Sequence, residues 1–236
     1  MYHDVYFASV TESGFQTDGA NHYKVCATDF EQQVHLIKDL PITLSFDDGG
    51  VSFYTVIAPI LERNNIRGHF FIATDYIGTD GFLNEEQIKD LHQRGHVIGS
   101  HSCSHPSDFR IIPFENRKME WVNSVRKLSE IIGKPLKEVS IPNGFLQEDD
   151  LQVFKTLGIS TIYTSKLGES RVVEEMAIIG RIGIDNSMSP KKVVSILSGG
   201  FLYKTMLFKQ YLLSFIKFLL GNRYIKVKAK IRKVSK

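Results

Sequence analysis

Ile42-Thr43-Leu44-Ser45-Phe46-Asp47-Asp48-Gly49-Gly50 runs from an apolar stretch directly into two carboxylates and a glycine pair. The apolar run predicts a buried strand over 42–46. Side chains alternate along an ideal strand, so adjacent aspartates would point apart. The glycines let the chain turn at this point, and both carboxylates can then face one cavity. Taken alone, the stretch reads most simply as a turn, because Asp-Gly is a common turn signal.

The same design recurs downstream. A predicted strand at 96–100 runs into His101-Ser102-Cys103-Ser104-His105-Pro106. Two imidazoles four residues apart can bind one ion from a single loop. One added carboxylate makes a His₂–carboxylate set with open positions for water, the usual form of a hydrolytic zinc centre. Two loop histidines with no shared role would also produce this spacing. The two motifs together outweigh either alone, since each ends a strand and between them they supply a metal carboxylate, two imidazoles and one spare carboxylate.

Around these motifs short apolar runs alternate with amphipathic ones. Strands are predicted at 70–73, 139–141, 160–164 and 178–182, and helices at 51–64, 85–94, 114–132 and 149–157. Pro59 falls inside the first helix and can kink it. Asn84 caps the second and Gly95 stops it, while Gly133 and Gly158 end the next two. Val122, Val125 and Leu128 mark the buried face of 114–132. Ser189 followed by Pro190 starts a further helix. Strand–helix alternation with crossover-length spacers predicts parallel pairing. The fold class is therefore α/β, a distorted, incomplete (β/α) barrel, since the units fall short of eight. Reactive groups in such barrels sit at the C-terminal ends of the strands, where both motifs fall.

The 236 residues suit one globular domain followed by a tail. We divide them into a domain over 1–200 and a basic amphipathic C-terminal tail over 201–236. The tail carries ten Lys or Arg and no Asp or Glu, whereas the preceding 200 residues carry 19 basic and 26 acidic groups. Two readings of the tail stand side by side: peripheral contact with an anionic membrane surface, or a helix packed on the barrel with a solvated basic end. No aromatic-and-basic platform for nucleic acid is evident, so none is expected as a partner. MYHDVYFASV does not read as a signal peptide. Lys204, Lys209 and Lys217 interrupt the stretch closest to a membrane span. A cytoplasmic or membrane-surface location follows as an expectation. Cys26 and Cys103 make no disulfide framework. Cys103 reads as a loop residue and His69, at the start of its strand, as structural.

The paired motifs resemble those of the polysaccharide deacetylases, carbohydrate esterase family four, also called the NodB-homology domain. LSFDDGG at 44–50 matches that family's TFDDG, and HSCSHP at 101–106 its HSxxHP. RGHFFIATDYIG and LHQRGHVIGSHS resemble the strands around them, and the likeness extends over about residues 1–185. The resemblance implies that Asp48, His101 and His105 bind a divalent metal, zinc by default with cobalt, nickel or manganese as substitutes. It implies that Asp47 is the general base, and that an N-acetylated glycan is the substrate.

Three positions depart from the family pattern. No histidine follows His105 to act as the late catalytic acid. Tyr2-His3-Asp4-Val5 instead resembles the start of circularly permuted exopolysaccharide deacetylases, which implies His3 as the acid. The strand that should lead into Tyr2 is almost absent. In place of the family's RxPY, the chain has Ser140-Ile141-Pro142-Asn143. The Asn143 N–H is the expected oxyanion donor, and Arg181 is the candidate replacement for the arginine partner of Asp47; a surface arginine is the plainer reading of Arg181. The expected activity is hydrolysis of N-acetyl groups on amino-sugar residues of a surface polysaccharide or its precursor. The alternatives are a catalytically impaired glycan-binding protein on the same fold and a related hydrolase of small-molecule amides.

Overall fold

The computed structural model describes residues 1–220, with side-chain surroundings through Leu212; the basic end of the tail, 221–236, lies outside the described residues. Two compact units divide the chain, Met1–Val194 and Ser195–Lys236.

The first unit is built on short strands in a curled sheet. β3 (Ser45–Phe46), β4 (His69–Ile72), β5 (Val97–Ser100), β6 (Glu138–Ser140), β7 (Thr161–Thr164) and β9 (Met176–Gly180) pair in parallel in that order, and β8 (Ser170–Val173) adds an antiparallel edge against β9. A small parallel pair, β1 (Val5–Tyr6) and β2 (Val25–Cys26), precedes them. The chain start links the two margins of the sheet. Tyr2 N donates to Ser45 O (2.8 Å) and Asp47 N to Tyr2 O (3.1 Å). On the other side Met1 N donates to Ile182 O (2.8 Å) and Ile184 N to Met1 O (2.9 Å). Met1 and Tyr2 thus lie between β3 and the segment leaving β9. Because Tyr2 pairs in parallel with Phe46, His3 leaves the rim beside Asp47.

Helices fill the crossovers: α1 (Asp18–His22), α2 (Ala27–Ile37), α3 (Ala58–Arg63), α4 (Glu85–Gln93), α5 (Phe114–Ile132) and α6 (Asp150–Thr156); α7 (Pro190–Leu197) follows β9. Asn84 and Gln87 form a capping box on α4, which satisfies two otherwise orphaned N–H groups. Gly133 closes α5 in the left-handed conformation that glycine adopts at least cost. The core is aromatic. Tyr2, Phe30, Phe46, Phe53 and Phe70 are all fully buried, with neighbouring ring centroids 5.1–6.0 Å apart. A second cluster, Trp121 with Phe109 and Phe154, seats α5.

Two expectations need correction, and two features were not foreseen. The helix predicted over 51–64 is present, but its first part is a wide π turn, Phe53–Ile57, leading into α3. Pro59 has no N–H to offer Thr55, and Ala58 N bonds back to Phe53 O instead. The strand predicted over 42–46 is reduced to Ser45–Phe46, although Leu44 O still accepts from His69 N (3.0 Å). Val122 is only half-buried; Trp121 and Ser124 share the buried face of α5 with Val125 and Leu128. The β8–β9 hairpin was not expected. Its two turn residues, Glu174 and Glu175, have φ of 48° and 69°, a conformation usually signalled by Asn or Gly.

The second unit holds α8 (Phe201–Leu220). Among the described residues no helix is long and apolar enough to cross a membrane.

Candidate metal centre and its acid–base partners

The C-terminal ends of β3 and β5 deliver both sequence motifs to one rim. The strand geometry breaks immediately after Asp47: Asp48 has φ of 90° and Gly49 of 92°. That break turns two consecutive carboxylates toward one cavity, as the glycine pair suggested. Ser102 (φ 67°) and His105 (φ 52°) hold the second loop in left-handed conformations that cost a non-glycine residue energy.

These turns bring Asp48, His101 and His105 together, with one ligand atom from each lying within 4.8 Å of the others. Asp48 Oδ1 stands 3.5 Å from His101 Nε2 and 3.4 Å from His105 Nε2. It is buried and has no hydrogen-bond partner, a costly state for a carboxylate oxygen. His101 Nδ1 lies 2.8 Å from Ser140 O. A carbonyl only accepts, so Nδ1 carries the proton and the Nε2 lone pair faces Asp48. An orphaned carboxylate oxygen and an imidazole fixed in the metal-binding tautomer fit a divalent cation.

The carboxylates and imidazoles also act on one another's protonation. Burial works to raise Asp48, but His3, His101 and His105 outweigh it and hold its carboxyl below the usual range. His101 is raised: burial opposes the charge, yet Asp47 and Asp48 together prevail. Burial and the neighbouring His101 push His105 down to about 4, so its ring is neutral.

Asp47 sits beside the triad, 3.8 Å from His101 Nε2, and belongs to a separate network. Arg181 grips both its oxygens, at 2.7 Å and 2.6 Å, and Ser140 Oγ donates to Oδ2 at 3.0 Å. Arg181 also reaches Ser45 Oγ (3.1 Å) and Ser140 Oγ (2.7 Å). It is no surface arginine; only 8% of it is exposed. Burial would raise the Asp47 carboxyl, but Arg181 and then His101 overcome that and hold it far below the carboxylate range.

His3 lies close enough for its charge to act on Asp47, Asp48 and His105. Its Nδ1 is buried without a partner, and its ring packs 4.9 Å from that of Tyr23. The adjacent Asp4, which sequence reasoning missed, is buried and accepts from Ser13 Oγ (2.5 Å) and Ser52 Oγ (2.8 Å). Gly14 and Gly50 leave space for that carboxylate where any Cβ would collide with it. Asp4 thus ties the His3 segment to the loop that follows Asp48. Asn143 has φ of 56°, and its side chain donates to Ser107 O (3.2 Å). His69 meets Glu138 (2.7 Å) at the opposite end of its strand, a structural pairing. Cys103 donates to Glu120 O (3.2 Å), and burial pushes its thiol up, which works against a nucleophilic thiolate.

Comparison with known proteins places this geometry in a family. The polysaccharide deacetylase profile matches residues 38–162, more than half of the chain, and the chain belongs to that family. It is 28% identical over 130 residues to the peptidoglycan-N-acetylmuramic acid deacetylase PdaA of Bacillus subtilis, covering 54% of this chain and 48% of that one. It is 23% identical over 131 residues to the poly-beta-1,6-N-acetyl-D-glucosamine N-deacetylase of Staphylococcus aureus, covering 50% and 45%. The structure of the Streptococcus pyogenes deacetylase PplD in complex with acetate superposes with a TM-score of 0.68 at 20% identity, over 83% of this chain and 95% of that one, which shows the shared fold. The chain spans about half the length of several curated relatives it matches.

Proposed function

We propose that this chain is a divalent-metal hydrolase that removes N-acetyl groups from amino-sugar residues of a surface polysaccharide or its precursor. One observation carries the reading: Asp48, His101 and His105 converge on a common point while Asp47, next in the chain, is held out of that set by Arg181.

A cation held by Asp48, His101 and His105, zinc by default, would acidify a water molecule and polarise the acetamide carbonyl. The chain's own groups then divide the proton work. Asp47 takes a proton from the water as its oxygen bonds to the acetyl carbon. Arg181 keeps Asp47 anionic and fixes its direction, the role that the family pattern gives to an arginine at position 140. The Asn143 N–H is the donor for the developing oxyanion. His3 gives a proton to the sugar nitrogen as the C–N bond breaks, and acetate and a free amine leave. We further read the chain as circularly permuted, because Met1 and Tyr2 lie between β3 and residues 182–184.

For the tail we propose contact with an anionic membrane surface. Phe201, Phe208 and Tyr211 are exposed on α8 and share it with Lys204 and Lys209. Sedimentation with phosphatidylglycerol vesicles, weakened by salt, is the expected result; equal pelleting with neutral vesicles would remove this part.

The deciding experiment is acetate release from N-acetylglucosamine oligomers and peptidoglycan fragments by the zinc- or cobalt-loaded protein. Activity lost in Asp47→Asn supports the assignment. Metal uptake with no acetate from any glycan would favour a glycan-binding protein on the same fold.

A further inference from the structure

The loop between the two imidazoles is held by a side chain that neither motif includes. Glu120 lies near the middle of α5, beside Trp121, which is fully buried against Phe109 and Phe154. Its Oε2 accepts from Cys103 N (2.9 Å) and Ser104 N (2.8 Å), and its Oε1 from Ser104 Oγ (2.7 Å). Its carbonyl accepts from Cys103 Sγ (3.2 Å). One residue on a seated helix therefore takes every donor offered by the two residues preceding His105.

That loop needs an external hold. Ser102 and His105 both occupy the left-handed region, a conformation that persists only where surroundings enforce it. His101 has its own restraints: it is buried and bonded to Ser140 O. His105 is less buried: its side chain is 23% exposed, its ring packs 5.2 Å from that of Phe15, and its backbone N is held at 3.2 Å by Ser102 Oγ. Two consecutive N–H groups converging on a carboxylate make charge-assisted bonds, stronger than neutral ones.

We infer that Glu120 is a positioning residue for the metal centre, holding the 103–104 turn so that His105 Nε2 stays within reach of Asp48 and His101. The inference rests on the metal-centre reading and adds a residue to it.

The test is a cobalt(II) titration of the metal-free protein, followed by its visible absorption. Glu120→Ala is expected to weaken affinity about 10- to 100-fold, the usual effect of removing a group that orients a ligand. Glu120→Gln, which keeps one acceptor, should fall between Glu120→Ala and wild type. In a His105→Ala background, Glu120→Ala should add little further loss, because the ligand it positions is gone. Wild-type affinity in Glu120→Ala, or an equal loss with and without His105, would overturn the inference. If Glu120→Ala does not fold by circular dichroism, Glu120→Gln alone and in the His105→Ala background carries the same comparison. A wild-type chain that takes up no cobalt would overturn the metal-centre reading itself, and this inference with it.

Discussion

Arg181 meets Asp47 in a two-pronged pair, 2.7 Å and 2.6 Å, across 134 residues of chain. Both partners are buried, and breaking such a pair from one side leaves an uncompensated charge. Arg181→Met should therefore destabilise the fold by about 3–5 kcal/mol. Arg181→Lys keeps the charge but loses the planar fork, so it should unfold at a higher urea concentration than Arg181→Met while still losing most activity. Equal urea midpoints for Arg181→Met and wild type would show that the pair contributes nothing.

Metal binding should be visible as stability. At a free zinc concentration about 100 times the dissociation constant, the folded state gains about 2.7 kcal/mol. That corresponds to roughly 5–10 °C in Tm for a chain of this size. Asp48→Asn should abolish the shift, and a chelator should reverse it in the wild type. A zinc-induced shift of wild-type size in Asp48→Asn would remove Asp48 from the ligand set.

His3→Gln separates proton donation from metal binding. General acid catalysis contributes about 10²- to 10⁴-fold, and kcat should fall within that range. Cobalt affinity should stay near the wild-type value, because His3 is not one of the three converging ligands. A kcat within twofold of wild type would exclude His3 as the acid.

Much of this centre was legible in the chain itself. Asp47, Asp48, His101 and His105 announce themselves because each motif follows an apolar run, and a parallel sheet puts such positions on one rim. Arg181 and His3 could be named only as replacements for missing family residues. Ser140, Asp4 and Glu120 carried no local signal. Each acts through partners many residues away, such as Ser140 on Asp47 and Glu120 on Ser104, and periodicity does not encode distant pairs. The β8–β9 hairpin escaped for the opposite reason, because Glu174 and Glu175 occupy turn positions where glycine or asparagine gives the usual cue.

His96 is expected to make the fold sensitive to acid, away from the rim that carries Asp48, His101 and His105. Its Nδ1 accepts from Gly68 N (3.0 Å), and its Nε2 donates to Glu62 (3.0 Å), so the buried ring is neutral. Burial lowers it below 6.5, with Arg94 and Arg67 adding to that and Glu62 opposing. A histidine lowered on folding takes up its proton more readily when unfolded, so its contribution is full above about 6.5 and is lost as pH falls below that value. Wild-type Tm should decline from pH 7 to pH 5 more steeply than that of His96→Gln. Parallel profiles would show that another group sets the acid limb.

The long span between Asp47 and Arg181 also bears on biosynthesis. Asp47, Asp48, His101 and His105 all leave the ribosome well before Arg181, and before the segment at 182–184 that receives Met1. Until then Asp47 has no arginine partner, and a carboxylate without one stays in water. The nascent chain can gather Asp48, His101 and His105 early, yet Asp47 takes its place only after Arg181, beyond β9, has been made. Contacts of such sequence separation form late and slowly, so completion of this rim and of the tertiary fold become one event.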